Sequence, residues 1–92
     1  MAYRVVLAKA AVKQLDKLEP KTRKLIAAFI ERELSGCEDP GSVPNGKALV
    51  GVEGGWRWRV GAYRILGRIS DGELIIELIR IGHRRDVYRN LK

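Results

Sequence analysis

A chain of 92 residues with 46% hydrophobic side chains can build one modest core but not two, so we expect a single domain over residues 1–92. Its 18 lysines and arginines exceed its 11 acidic residues, and the formal net charge of +7 favours a polyanionic or acidic partner. One cysteine, one histidine and no apolar run of membrane-spanning length exclude an internal disulfide, a structural zinc site and a membrane span, which predicts a cytoplasmic protein.

The N-terminal part predicts a short strand and two amphipathic helices. Residues 3–7 are typical of a strand, and from Ala8 onwards the apolar residues recur at helical spacing. Pro20 ends the first helix and suits the first turn of a second, which we expect to reach about Leu34. The predicted apolar stripes are Ala8, Ala11, Val12, Leu15 and Leu18 in the first helix, and Leu25, Ile26, Phe29, Ile30 and Leu34 in the second.

The C-terminal part predicts three consecutive antiparallel strands. After a loop over 35–46 and a possible short strand over 47–50, residues 56–60 alternate strictly, so the two tryptophans face the core and the two arginines face away. A second strand over 63–69 follows the Gly61-Ala62 turn. The Asp71-Gly72 pair predicts a hairpin with positive φ. Residues 74–81 are apolar in both phases, which predicts an interior strand buried on both faces.

The predicted fold class is therefore α+β, in the order β-α-α and then an antiparallel β-meander. The helices have only the sheet on which to bury their stripes, so they cover one face and leave the basic side chains on the other. At the end of the last strand, Gly82 is followed by His83, two arginines and, at position 88, a tyrosine. The sequence thus predicts a basic sheet face with a His/Arg/Tyr cluster at one end, and this is our candidate site.

Two motifs, WRVGAYRIL over 58–66 and IRIGHRRDVY over 79–88, resemble the RelE/ParE superfamily of type II toxins, and in particular its RelE branch. The resemblance covers nearly the whole chain. It implies a fold similar to small microbial ribonucleases and an endoribonuclease that cuts mRNA in the ribosomal A site without a metal or cofactor. It also implies a cognate antitoxin, so the expected partners are an acidic RelB-like protein, the ribosome and mRNA.

The resemblance also assigns site residues. Metal-free RNA cleavage uses the ribose 2′-OH as nucleophile and needs a proton acceptor, a proton donor and cations for the phosphorane. Arginine forks match phosphate oxygens. Relatives often carry lysine at positions 57 and 59, and arginine is a poor base, so the general base stays open. The catalytic candidates are Arg59, Arg64 and Arg84 as phosphate stabilisers, Tyr88 for proton transfer or base stacking, and His83 as a secondary proton-transfer group.

A second, overlapping set of arginines is predicted to bind RNA or phosphate. This group consists of Arg57, Arg59, Arg68 and Arg85, whereas the pattern predicts only general electrostatics for Arg80 and Arg89. Two other functions stay open: a ParE-like toxin that poisons DNA gyrase without cleaving nucleic acid, and a non-catalytic basic RNA-binding module. An acidic antitoxin is expected to mask Arg57, Arg59 and Arg64.

Overall fold

The structure, a computed structural model, describes residues 2–89. Its order confirms the predicted α+β class. The elements are β1 (Arg4–Leu7), α1 (Lys9–Asp16), α2 (Pro20–Phe29) with a π-helical turn at Ile30–Leu34, a 3-10 turn at Pro40–Ser42, β2 (Gly46–Ala48), β3 (Gly55–Val60), β4 (Tyr63–Ser70) and β5 (Ile75–His83). None of the helices within residues 2–89 has the length and apolar character that crossing a membrane requires.

The five strands form one sheet in the order β1-β5-β4-β3-β2. Strands β2 to β5 are an antiparallel meander, as predicted. Strand β1 pairs in parallel with β5, with Arg4 opposite Ile75 and Leu7 opposite Leu78. Parallel neighbours need a long connection, and here the helices and the meander supply it. The last strand therefore lies inside the sheet.

The two helices cover one face of the sheet. Pro20 begins α2 as predicted, and the Ser35 N–H donates to the Ile30 carbonyl at 2.8 Å in the π-helical turn that ends at Leu34. The inclusion of Val12 and Leu25 in the buried stripes is wrong, because they are 42% and 59% exposed. Each lies one residue, about 100° around the helix, from a fully buried neighbour. The stripes are thus narrower than predicted.

The core lies between these helices and one face of the sheet. Its buried members are Ala11, Ile26, Ile30, Leu34, Val43, Trp58, Ile65, Ile76, Leu78 and Ile81. Gly46 lets the indoles approach β2 closely, because an added Cβ would lie 2.5 Å from Trp56 Nε1 and 2.8 Å from Trp58 Cδ1. The prediction that both tryptophans face the core is confirmed.

Two features of β5 differ from the prediction. Leu66 lies opposite Arg80 but the next residue, Gly67, lies opposite Leu78, so Ile79 is an extra residue in a β-bulge. Although β5 is interior, Ile76, Leu78 and Ile81 are buried while Ile75 and Ile79 are only partly buried. The prediction that β5 is buried on both faces is therefore wrong in part, since the helices within residues 2–89 cover only the other face.

The β4–β5 hairpin exists, but the predicted positive φ at its Asp-Gly pair is wrong. The strands close at the Ser70–Ile75 pair, leaving a four-residue loop, and the positive φ falls on Leu74 at 56°. A two-residue turn centred on Asp71-Gly72 would pair Ser70 with Glu73 instead. The β3–β4 turn is the two-residue hairpin that was predicted, with Gly61 at φ 60°.

Candidate functional site

The strand register places the arginines of β3 and β4 on the sheet face opposite the helices. Arg59 pairs with Arg64, and Arg57 pairs with Leu66 one step further along. On β5, Gly82 lies opposite Arg64, so the glycine that ends the strand belongs to this face. We call this surface the arginine face. The prediction that basic side chains occupy the uncovered face is confirmed.

A shallow groove of about 630 Å³ crosses one end of the arginine face. It brings together five predicted site residues from three separate segments of the chain. Its lining consists of Arg57, Arg64, Arg84, Arg85 and Tyr88, with Ala48, Leu49 and Val50 on the β2 side. Four guanidinium groups and one phenol therefore surround a space that no acidic side chain lines.

The β3–β4 turn holds two of these arginines. Arg64 Nη1 donates to the carbonyl oxygens of Gly61 at 3.2 Å and Tyr63 at 3.1 Å. The backbone N–H of Arg84 donates to the Ala62 carbonyl at 2.9 Å. A guanidinium group has five N–H donors, so these contacts leave most of the Arg64 donors for a ligand. One turn thus fixes both arginines beside each other.

The turn over 83–89, here called the C-terminal turn, brings Tyr88 to the groove. Asp86 and Val87 both donate their N–H groups to the His83 carbonyl at 2.9 Å. The Val87 side chain is 2% exposed and lies over Gly82, where an added Cβ would come 3.5 Å from it. Tyr88 is 38% exposed, so its ring remains available at the groove.

Arg80 has a role that the sequence pattern did not indicate. Its Nη1 donates to the Val87 carbonyl at 2.9 Å and to the Arg89 carbonyl, so the side chain holds the C-terminal turn. The missed signal is its position between two isoleucines in an apolar strand, because a charged residue that is partly buried in such a strand usually has a partner.

Three predicted site residues lie outside the groove. The His83 ring meets Tyr63 edge-on with centroids 5.5 Å apart, and its Nδ1 accepts from the Arg85 N–H at 3.2 Å. Arg59 is exposed on the arginine face but does not line the groove. Arg68 lies opposite Glu77, further along β4. These three residues therefore do not line the groove, although Arg59 lies directly opposite Arg64.

The resolved pKa shifts within the described chain are remote from the groove. A hydrogen bond to Asp71 raises the pKa of Tyr3 to about 12, and burial raises the pKa of the Cys37 thiol. Within residues 2–89, no three His, Cys, Asp or Glu side chains gather closely enough to hold a metal ion. The chemical groups of the groove are therefore its guanidinium groups and the Tyr88 phenol.

Comparison with known proteins identifies the family. The family model described as "ParE toxin of type II toxin-antitoxin system, parDE" matches residues 5–88. The chain belongs to the RelE/ParE superfamily of type II toxins. A curated relative, Toxin RelG of Mycobacterium tuberculosis, is 34% identical over 89 residues, which cover 97% of this chain and 99% of the relative.

Solved structures of RelE/ParE toxins share the fold. The toxin–antitoxin complex RelBE2 of M. tuberculosis matches with a TM-score of 0.76 at 29% identity, covering 91% of this chain and 100% of the other. The RelB–RelE complex of Methanococcus jannaschii matches with a TM-score of 0.71 at 28% identity, covering 95% and 99%. These matches confirm both the fold class and the resemblance to the RelE branch.

Proposed function

We propose that this type II toxin is a ribosome-dependent endoribonuclease that cuts mRNA in the A site by attack of a ribose 2′-OH on the adjacent phosphate. The observation that carries the proposal is the groove, where four guanidinium groups and one phenol meet and no carboxylate competes for the cations. Such a lining suits a doubly charged phosphorane. It also offers one group, Tyr88, that can exchange a proton.

Arg64 and Arg84 stabilise the phosphorane in this proposal. The β3–β4 turn holds the guanidinium group of Arg64 and the backbone of Arg84, so the Arg64 donors are in place before the reaction begins and the Arg84 side chain starts from a fixed backbone. Preorganised donors aimed at developing charge contribute about 2.7–4 kcal/mol each. Arg57 and Arg85, on either side of the groove, bind the flanking phosphates. Arg59, opposite Arg64 but outside the groove lining, and Arg68, further along β4, attract the RNA backbone.

Tyr88 supplies proton transfer or orients the base. Tyr88 lines the groove, and its hydroxyl can exchange a proton with the 2′-OH. Alternatively its ring stacks on a base of the codon, an interaction of about 1–3 kcal/mol. Tyr88→Phe separates the two roles because phenylalanine stacks but carries no hydroxyl. His83 contacts Tyr63 and the Arg85 N–H instead, and we assign it to holding the C-terminal turn.

The shape of the site explains a requirement for the ribosome. The groove is open and shallow, and the exposed Val50 on its β2 side, 94% accessible, provides no wall to hold a flexible RNA strand. A catalyst without such walls works faster when a second macromolecule orients the substrate, because this orientation removes much of the entropic part of the activation barrier. The ribosome presents a codon in a defined position. The remaining arginine face docks on its phosphate-rich surface.

An acidic antitoxin is the second proposed partner. The two relatives above were solved as toxin–antitoxin complexes with RelB proteins. A chain of net charge +7 with an uncovered arginine face attracts an acidic segment that masks Arg57, Arg59 and Arg64. We expect co-expression to yield a tight complex and to suppress toxicity. A pull-down from the native source that returns no acidic partner would contradict this proposal.

The direct test is primer extension on a defined mRNA incubated with the toxin, with and without programmed ribosomes. Cuts at A-site codons only in the presence of ribosomes are the expected result. Equal cutting in both reactions would contradict the ribosome requirement. Intact mRNA in both reactions, with a folded protein, would overturn the nuclease proposal.

A second candidate function follows from the family model, whose description names ParE toxins. In this alternative the toxin poisons DNA gyrase through a protein–protein contact and cleaves no RNA. A gyrase supercoiling assay on the same preparation distinguishes the two candidates. Inhibited supercoiling together with intact mRNA would favour the gyrase poison.

A further inference from the structure

Arg80 is a charged side chain inside the apolar strand β5. It is partly buried and lies opposite Leu66, whose side chain is fully buried. Its side chain does not line the groove, and its guanidinium group donates to the carbonyl oxygens of Val87 and Arg89. These two residues flank Tyr88 in sequence. One side chain therefore holds the backbone on both sides of the groove's only phenol.

The other anchors of the C-terminal turn act before Tyr88. The His83 carbonyl accepts from Asp86 and Val87, and the Ala62 carbonyl accepts from Arg84. Burial of the Val87 side chain fixes the chain at that residue. These contacts place Arg84 and Val87 and do not include Tyr88 itself.

Beyond Val87, the described part of the chain offers weak local support. Arg89 donates its N–H to Asp86 at 3.1 Å, and their side chains form an ion pair at 3.5 Å. Those side chains are 76% and 62% exposed, and ion pairs at such exposure contribute little. Hydrogen bonds from a charged donor are stronger. The Arg80 contacts therefore dominate the placement of the Tyr88 backbone.

We propose that Arg80 is a positioning residue that fixes Tyr88 at the groove by holding the carbonyl oxygens on either side of it. This inference rests on the proposed ribonuclease function and adds a residue that acts through Tyr88 rather than on RNA. Its partners are neutral carbonyls, so the interaction is geometric rather than a neutralisation of charge. Lysine, a point charge without a planar fork, can satisfy this geometry only in part.

The test is single-turnover cleavage of mRNA on programmed ribosomes, with toxin concentration varied. Arg80→Met keeps the apolar stem and removes the donors, and Arg80→Lys keeps a charge. Arg32→Met, in the exposed last turn of the second helix, is the control with the same loss of charge. We expect Arg80→Met to lower the maximal rate roughly 10²-fold, because a displacement of about 1 Å can have that effect. The toxin concentration that gives half of the maximal rate should stay unchanged, and Arg80→Lys should restore part of the rate.

A double-mutant cycle separates positioning from direct RNA contact. In a Tyr88→Ala background, which removes both the hydroxyl and the ring, Arg80→Met should lower the remaining rate by less than about threefold, because residues that act as one unit are not additive. An equal loss in both backgrounds would overturn the proposal, as would a wild-type rate for Arg80→Met. If Arg80→Met does not fold, Arg80→Lys decides. A full wild-type rate overturns the proposal, and a partial rate whose loss is not additive with that of Tyr88→Ala supports it.

Backbone NMR order parameters for residues 84–89 keep this inference distinct from the proposed function. We expect values near 0.85 in the wild type to fall below about 0.6 at Tyr88 and Arg89 in Arg80→Met, with no change at Arg84. If the wild type cleaves nothing, the ribonuclease proposal fails and the positioning of a catalytic residue fails with it. In that case the order parameters still report on the anchor. Unchanged values at Tyr88 would overturn the anchoring itself.

Discussion

The two faces of the sheet come from the same strands but carry different tasks. On the helix-covered face Trp58, Ile65 and Leu78 are fully buried. On the arginine face, residues one position away in the same strands carry charge, and both α1 and α2 lie on the opposite side of the sheet. A period of two residues allows this division. The comparison indicates that changes on one face should alter folding, whereas changes on the other should alter activity.

The arginine face has a small apolar contribution of its own. Leu66 is fully buried and Val87 is 2% exposed, yet neither belongs to the core cluster under the helices. The C-terminal turn folds back over Gly82 and buries Val87 there. The site is therefore not a loop in solvent, because its tyrosine follows a buried anchor. At Val87, burial of an apolar side chain and placement of the site tyrosine therefore depend on the same residue.

The largest expected effect is a loss of stability caused by a substitution on the helix-covered face. Trp58→Ala should lower the free energy of unfolding by about 3–5 kcal/mol, because it removes a fully buried indole and leaves a cavity. Arg57→Ala, the adjacent residue on the opposite face, should change it by less than about 0.5 kcal/mol. Urea denaturation measures both. Equal losses would show that the two faces are not separable.

The next effect addresses the arginine face. Arg84→Ala should lower the rate of A-site cleavage roughly 10²–10³-fold, because it removes a phosphate donor that lines the groove. The free energy of unfolding should stay within about 0.5 kcal/mol, since the side chain is exposed. Arg32→Ala is the charge-matched control and should cleave like the wild type. A folded Arg84→Ala variant with full activity would remove this residue from the site.

A smaller effect tests the close packing of the two tryptophans against Gly46 on the helix-covered face. Gly46→Ala should destabilise the protein by about 1–3 kcal/mol, because a Cβ would lie 2.5 Å from Trp56 Nε1 and 2.8 Å from Trp58 Cδ1. Gly72→Ala is the matched control, since nothing lies within 4 Å of the added atom and its φ is not positive. Thermal or urea unfolding compares the two. If they behave alike, the indoles do not require the glycine.

The smallest effect depends on pH. Tyr3 donates to Asp71 Oδ1 at 2.7 Å, and this hydrogen bond raises its pKa from 10.0 to about 12. The folded pKa is the higher one, so its stabilisation is complete below pH 10 and is lost as the pH rises from 10 to 12. Over that window Tyr3→Phe should therefore lose less stability than the wild type. Urea unfolding at about pH 9 and about pH 11.5 measures the difference, and parallel curves would contradict it.

Much of the fold was predictable because alternation and helical spacing are local signals. Strict alternation in residues 56–60 predicted which face carries Arg57 and Arg59, and Pro20 predicted the start of α2; both are confirmed. The parallel pairing of β1 with β5 was not predictable, because it depends on contacts between distant residues. The extra residue Ile79 lies in a largely apolar run and no sequence pattern distinguishes it, so the bulge was not predicted either.

The site was predicted in part for similar reasons. The sequence motifs indicated Arg64, Arg84 and Tyr88, and the structure brings them together with Arg57 and Arg85. The proton-transfer chemistry of an imidazole suggested His83, but at the end of β5 its ring contacts Tyr63 instead. The role of Arg80 depends on where the chain returns after β5, which no local pattern contains. The chemistry assigned to the groove stays a prediction.

The central claim is that the groove cleaves RNA through the ribose 2′-OH. The most direct measurement compares toxin-dependent cleavage of two ribosome-bound mRNAs, one all-ribose and one with 2′-deoxynucleotides at the three A-site codon positions. The proposed mechanism predicts cleavage of the first only, leaving a 2′,3′-cyclic phosphate at the new end. Equal cleavage of both would contradict attack by the 2′-OH and the roles assigned to Arg64, Arg84 and Tyr88.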